Sequence, residues 1–139
     1  MALNIFKKEY IAVVEGILEK PLGTISEPIA RKENSIIERC ISPNGDSSIT
    51  HFEVLKIYTE KNISLVKFFL ETGRTHQIRV HSKHIGHPIV GDTLYGHKSE
   101  FISRQALHSH IVKFVHPITK EAVQYTAPIP NDILNIYSL

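Results

Sequence analysis

A single cysteine, Cys40, is present among 139 residues, which excludes an internal disulfide and any multi-cysteine zinc site. No apolar run reaches the roughly 18–20 residues that span a bilayer. The first residues, Met1 to Lys8, gain charge too early for a secretory signal. These absences set the expectation of a soluble cytoplasmic protein with no membrane contact. Also missing are G-x-G-x-x-G, a Walker loop and G-x-S-x-G, so no nucleotide cofactor and no serine-hydrolase chemistry are expected. Hydrophobic residues make up 42% and charged residues 22%, which argues against wholesale disorder. The length suits one domain, 1–139, and is too short for two ordinary ones.

One local absence is more telling. Residues 72–91 carry no acidic side chain, while the same window holds Arg74, Arg79, Lys83 and the histidines His76, His81, His84 and His87. A net charge of +2 would not by itself identify a nucleic-acid binder. A window free of acids, however, can face an anion without local repulsion.

The pattern of residues predicts an α+β fold: a mixed, mainly antiparallel sheet with short helices. Residues 7–16 read as a strand that ends in Gly16. Residues 20–48, with Pro21, Gly23, Pro28, Pro43 and Gly45, read as irregular connections with a short strand near Ser35–Cys40. Two β-rich runs follow, Ile49–Tyr58 and Ile63–Leu70, joined by a hairpin-sized polar turn at 59–62. Thr75 is a candidate cap for a short helix over Thr75–Ile85. Gly86, Pro88, Gly91 and Gly96 then punctuate a loop. Residues 106–115 and 122–127 predict another strand pair, and Asn131–Leu139 a short helix capped by Asn131.

At Glu71–Gly96 the chain reads ETGRTHQIRVHSKHIGHPIVGDTLYG. This resembles the signature of the RluA-type RNA pseudouridine synthases. Lys8-Glu9-Tyr10-Ile11-Ala12 resembles that family's K-x-Y-x-A strand, and TISEPIAR at 24–31 its segment with a proline and a basic residue. Gln105-Ala106-Leu107-His108 and Ala127-Pro128-Ile129-Pro130 resemble its C-terminal landmarks. The resemblance covers about residues 7–134 and implies the second half of a pseudouridine synthase catalytic domain.

The resemblance further implies isomerisation of uridine to pseudouridine in structured RNA, ribosomal or transfer, with no cofactor. The family's nucleophile is an aspartate in an upstream R-L-D motif. The three aspartates here, Asp46, Asp92 and Asp132, follow Gly45, Gly91 and Asn131; none has that context, so a C-terminal part without its nucleophile, inactive in isolation, is expected. By resemblance Arg79 is the partner of the missing carboxylate, which would leave a buried guanidinium without a counter-ion. Tyr10 matches the active-site tyrosine, able to stack on a flipped uracil and to exchange a proton near C5. Arg74, Thr75, His76 and Lys83 are the candidate RNA contacts.

Other readings of these residues compete. Arg79 could form a surface ion pair, Tyr10 could be a core residue on a strand, and Lys83 could lie on a solvated helix face. His81-x-x-His84-x-x-His87 has the spacing of a partial metal site, but Pro88 follows and no HExxH or nearby cysteine supports it, so no metal is expected. Asp92 reads as a turn residue whose carboxylate bonds backbone amides. At the level of the whole chain, the alternative to an enzyme is a catalytically inactive RNA-binding module. Loss of half the parent sheet would expose a strand edge, and self-association through it is expected.

Overall fold

The computed structural model describes residues 4–138. Strand β1 (Asn4–Glu15) is followed by β2 (Leu22–Ser26), the short β3 (Ile29–Arg31) and β4 (Arg39–Ile41), then β5 (Ile49–Tyr58) and β6 (Ile63–Leu70). Helix α1 (Gln77–His84), the hairpin β7 (Leu107–Val115) and β8 (Ala122–Thr126), and helix α2 (Asn131–Tyr137) complete the order. Six strands form one sheet in the order β2-β5-β6-β1-β7-β8, and β3 and β4 form a separate two-stranded ribbon. Every pairing is antiparallel, as the sequence pattern predicts for the sheet.

β1 lies between β6 and β7. Ile11, Ala12, Val13 and Val14 are all buried in succession, which a strand can achieve only when both of its faces are covered. Helix α1 covers the face bearing Thr50, Phe52, Val66 and Phe68, since Gln77 and His81 hydrogen-bond Thr50. Tyr10 pairs with Phe68 and Ala12 with Val66, so both share the α1 face. Helix α2 covers the other face. There the Tyr137 ring meets Tyr58 at 5.9 Å, and Tyr58 stands opposite Ile63.

The loop after α1 is tied into the sheet. Glu15 N–H donates to the Pro88 carbonyl, Val90 N–H to Val13, and Ala106 N–H to Val90, so residues 88–90 continue the ladder beside β1 where β7 stops. Gly91 then turns the chain at φ +81°, and a Cβ there would run into the Arg104 carbonyl and the Ile102 side chain. Only glycine tolerates both conditions. This turn sets the position of Asp92.

The strands Ile49–Tyr58 and Ile63–Leu70 have the bounds predicted from sequence, and Asn62 closes their turn at φ 54°. Other expectations need correction. β2 and β3 lie within the stretch predicted to be irregular. They are short, and β2 is an edge strand held by pairing with β5 instead of by its own apolar pattern. Thr75 does not cap α1. The N-cap is His76, in the left-handed region at φ 57°, with no side-chain cap. Asn131 is the first residue of α2, and Pro130 precedes it as N-cap.

Candidate active site and nucleic-acid interface

The segment between β6 and α1 carries most of the candidate residues, and Gln77 fixes its path. Its side chain is 2% exposed and uses its full hydrogen-bonding capacity. Oε1 accepts from the Thr72 hydroxyl at 2.8 Å and the Arg74 N–H at 3.0 Å. Nε2 donates to the Ile49 carbonyl at 3.0 Å and to Thr50 Oγ1 at 2.9 Å. The network continues inward. His81 Nε2 lies 2.9 Å from the Glu27 carbonyl, which can only accept. The ring is therefore protonated at Nε2, and Nδ1 accepts from the Thr50 hydroxyl at 2.8 Å. Burial, reinforced by His84, holds the His81 ring below its ordinary basicity.

Arg79, on α1, does not lack a counter-ion. Its Nε and Nη2 donate to the two carboxylate oxygens of Asp92, each at 2.8 Å. Asp92 is fully buried and the Arg79 side chain is 14% exposed. The same carboxylate accepts the N–H groups of Leu94 and Tyr95, both at 3.2 Å. The turn role expected of Asp92 is thus present, with an ion pair added to it. The expectation of an orphaned guanidinium fails because the 89–96 turn brings in a carboxylate thirteen residues downstream. Burial raises the Asp92 carboxyl, but the Arg79 hydrogen bond and the two amides outweigh it and hold the group below its ordinary value of 3.8.

Tyr95 closes this cluster. The Arg79 guanidinium lies 5.0 Å from its ring centroid. Its hydroxyl accepts from the Arg39 N–H at 2.8 Å and meets His76 Nδ1 at 2.7 Å. His76 is kept neutral chiefly by burial, then by the positive charges of Arg79 and Arg39. The Tyr95 hydroxyl thus links the β4 backbone at Arg39 to the His76 ring.

Tyr10 is elsewhere. It lines an open cavity of about 410 Å³ with Lys7, Lys8, Leu70, Glu71, Thr72, Gly73 and Arg74. Burial raises its phenol above the ordinary value of 10.0, so it is protonated at neutral pH. Arg74 and Gly73 also line a second cavity of about 420 Å³, with Thr75, Arg31, Arg39 and Asp46. Lys83 borders a smaller cavity of about 220 Å³ with Lys32, Glu38, Arg39 and His84. The structure thus brings Tyr10 together with Arg74, and His76 with Arg79. Arg79 is not among the residues lining the cavity of Tyr10.

The sequence profile of the RNA pseudouridylate synthases matches residues 2–84. The chain belongs to that family. The RNA pseudouridine synthase YhcT of Bacillus subtilis, a relative without an established function, is 47% identical over 130 residues, which are 94% of this chain and 43% of that protein. Ribosomal large subunit pseudouridine synthase D of Haemophilus influenzae is 37% identical over 143 aligned residues, 93% of this chain and 43% of that protein. Among solved structures, human RNA pseudouridylate synthase domain containing 1 superposes with a TM-score of 0.76 at 32% identity, covering 88% of this chain and 54% of that one. The chain therefore spans less than half the length of the curated relatives it matches. Pseudouridylate synthases are isomerases, and this chain is a partial member of the family.

Residues that the sequence did not single out matter as much as those it did. Gln77 and Tyr95 lie inside the recognised signature, but nothing in spacing marks them as hubs. Arg31 and Arg39 become neighbours only through the β3–β4 pairing.

Proposed function

We propose that this chain forms the distal part of the catalytic site of an RNA pseudouridine synthase, acting on a uridine of ribosomal or transfer RNA. One observation carries the reading: a half-buried, protonated phenol, Tyr10, opens into a cavity whose charged lining is Lys7, Lys8 and Arg74 against the single carboxylate of Glu71. The reaction breaks the C1′–N1 bond of uridine, turns the base and rejoins it through C5; the C5 hydrogen leaves as a proton and N1 takes one up, so the isomerisation consumes no net proton or electron. Tyr10 offers a flat ring for an extruded uracil and a proton donor beside it. Lys7, Lys8 and Arg74 supply charge for the flanking phosphates.

The attacking carboxylate comes from outside this chain. Asp92 and Asp132 are each committed to an arginine, Arg79 and Arg104, and Asp46 borders the cavity that lacks Tyr10. Arg79 remains suited to orient that nucleophile. A guanidinium has five N–H donors; Asp92 engages two, leaving three for a second carboxylate. Asp92 thus positions Arg79 and does not replace the nucleophile. By itself the chain is an RNA-binding module without catalysis. A cytoplasmic setting accords with this reading.

Sheet edges β2 and β8 are open. On β8, Tyr125 is exposed and stacks on Phe114 of β7. Pairing of two copies along β8 is the form of self-association this favours. Sedimentation of the wild type and of Tyr125→Lys reads it: a dimer lost in the variant supports the pairing, and a wild-type monomer removes it.

The catalytic reading is tested by fusing the upstream portion of YhcT to this chain and assaying uridine conversion in ribosomal RNA. The fusion should be active, the isolated chain inactive, and Tyr10→Phe and Arg79→Ala in the fusion should each lose at least ~100-fold in turnover. Unchanged turnover in both variants, or conversion by the isolated chain, would overturn these roles.

A further inference from the structure

We infer that Arg31, Arg39 and Arg74, with Thr75, form a subsite for a phosphodiester of the RNA strand, separate from the uracil pocket of Tyr10. The inference rests on the RNA-directed reading above and locates a second point of attachment. Of the five arginines in the chain, Arg79 and Arg104 each hold an aspartate through two hydrogen bonds. Among the described residues, no carboxylate lies within ion-pair distance of the other three. Those three line one cavity of about 420 Å³.

Their arrangement opposes the fold's own stability. Arg31 and Arg39 are direct partners across the β3–β4 ribbon, and like charges directly opposite each other in an antiparallel pair are destabilising. Arg74 approaches from a different part of the chain and is held there. Its backbone N–H is fixed by Gln77, and its Nε donates to the Ser47 carbonyl at 3.0 Å. Both terminal nitrogens of Arg74 have no partner within the protein among the described residues. Arg39 donates through Nη1 to the carbonyls of Ile36 and Ile37 at 3.4 and 3.3 Å, which leaves Nε and Nη2 available. Three guanidiniums from three segments, with the Thr75 hydroxyl, present forked donors of the kind that suit phosphate oxygens.

Asp46, the one acidic residue of the cavity wall, leaves a net lining charge of +2 and is in no ion pair with the arginines among the described residues. It also favours a singly charged phosphodiester over a doubly charged phosphomonoester. Gly73 and Arg74 border both cavities, so the two are adjacent, as neighbouring nucleotides of one strand would require.

The test uses this chain and a fluorescein-labelled, uridine-containing RNA stem-loop, with binding followed by anisotropy across a salt series. Each phosphate contact contributes about 0.7–0.9 to the magnitude of the log K against log salt slope. Arg31→Gln should lower that magnitude by about one contact and weaken binding several-fold at low salt. Asp46→Asn should tighten binding, and Lys98→Gln, on an exposed loop away from the cavity, should change neither quantity. Equal slope and affinity for wild type and Arg31→Gln would overturn the subsite, as would absence of RNA binding at low salt. Millimolar uridine 5′-monophosphate should compete poorly; competition that abolishes RNA binding assigns the site to free nucleotides and overturns the RNA assignment. Uridine conversion by the YhcT fusion is a separate readout. An inactive fusion whose RNA binding still responds to Arg31→Gln removes the catalytic reading and leaves the subsite standing, and the reverse pattern does the opposite.

Discussion

Two groups of arginines lie within one short stretch of fold and have opposite fates. Arg79 is largely buried, doubly bonded to Asp92, with Tyr95 and His76 completing the cluster. Arg31, Arg39 and Arg74 face a solvent-open cavity with no carboxylate partner. In the first group the charge is neutralised within the fold by Asp92, which holds the 89–96 turn against α1 and engages two of the five Arg79 N–H donors. The second is unsatisfied and has two members directly opposed. The difference separates structural charge from charge available to a ligand, which composition alone cannot do.

The largest effects should come from breaking the satisfied cluster. Asp92→Asn removes the counter-ion of a guanidinium that burial has already desolvated, and should destabilise the fold by about 3–5 kcal/mol in urea unfolding. Gly91→Ala should be comparably damaging, because the new Cβ meets the Arg104 carbonyl in a left-handed turn. A loss below about 1 kcal/mol for Asp92→Asn would mean that the Arg79 pair is not structural, and the contrast between the two groups would fail.

Next comes the link between the groups. Gln77→Leu keeps the volume but strands the Arg74 N–H and the Thr72 hydroxyl proton, while the Ile49 carbonyl keeps the Glu71 N–H and Thr50 keeps His81. A cost of about 3 kcal/mol is expected. RNA affinity should fall as well, since Arg74 then loses its anchor. If stability falls and affinity does not, Arg74 is positioned by something other than Gln77.

Much of the sheet was legible in the sequence because β5 and β6 alternate over long runs and end in polar turns. β2 and β3 were not, because three- to five-residue strands have too few positions for a pattern and are defined by their partners; the short strand expected near Ser35–Cys40 overlaps β4 only at Arg39 and Cys40. For the candidate site, a long motif names Tyr10, Arg74 and Arg79 from their context, and the structure places Tyr10 and Arg74 on one cavity without Arg79. The partner of Arg79 was not legible. Asp92 was read correctly as a turn residue, but the pairing depends on Pro88–Val90 docking beside β1, a long-range contact that no local pattern encodes. The Arg31–Arg39 opposition depends in the same way on strand register.

A smaller effect follows from protonation. The fold holds His76 and His81 below the ordinary histidine value of 6.5, chiefly through burial. It therefore favours their neutral forms, and the stability this provides is full above that value and declines as pH falls below it. Asp92 is held below 3.8, so its ionised form is favoured; that contribution is full above 3.8 and is lost as pH falls through the lowered value. Urea unfolding against pH should show a first decline beginning near the histidine value and a second below the carboxyl value. Asp92→Asn should shrink the second and leave the first, the remainder of the second coming from the lowered carboxyls of Glu9 and Asp132. A flat profile between neutrality and the carboxyl range would show that native and unfolded states bind the same number of protons there, and that burial does not lower His76 and His81.

The smallest effect is the most discriminating because its sign is unusual. Most substitutions destabilise, and removing a cation from an ordinary surface site changes stability by no more than about 0.5 kcal/mol in either direction. Arg31 donates no hydrogen bond within the protein among the described residues, and it faces Arg39 across the ribbon. Arg31→Gln relieves that repulsion without breaking a partner, so the free protein should gain a few tenths of a kcal/mol, and more at low salt, where screening is weak. RNA should reverse the order: bound wild type gains more stability than bound variant, because only binding to the native state shifts unfolding. Thermal unfolding with and without the stem-loop at low salt measures both signs in one experiment. A variant less stable than wild type in the absence of RNA would mean that Arg31 has a structural partner, and the unsatisfied group would shrink to Arg39 and Arg74.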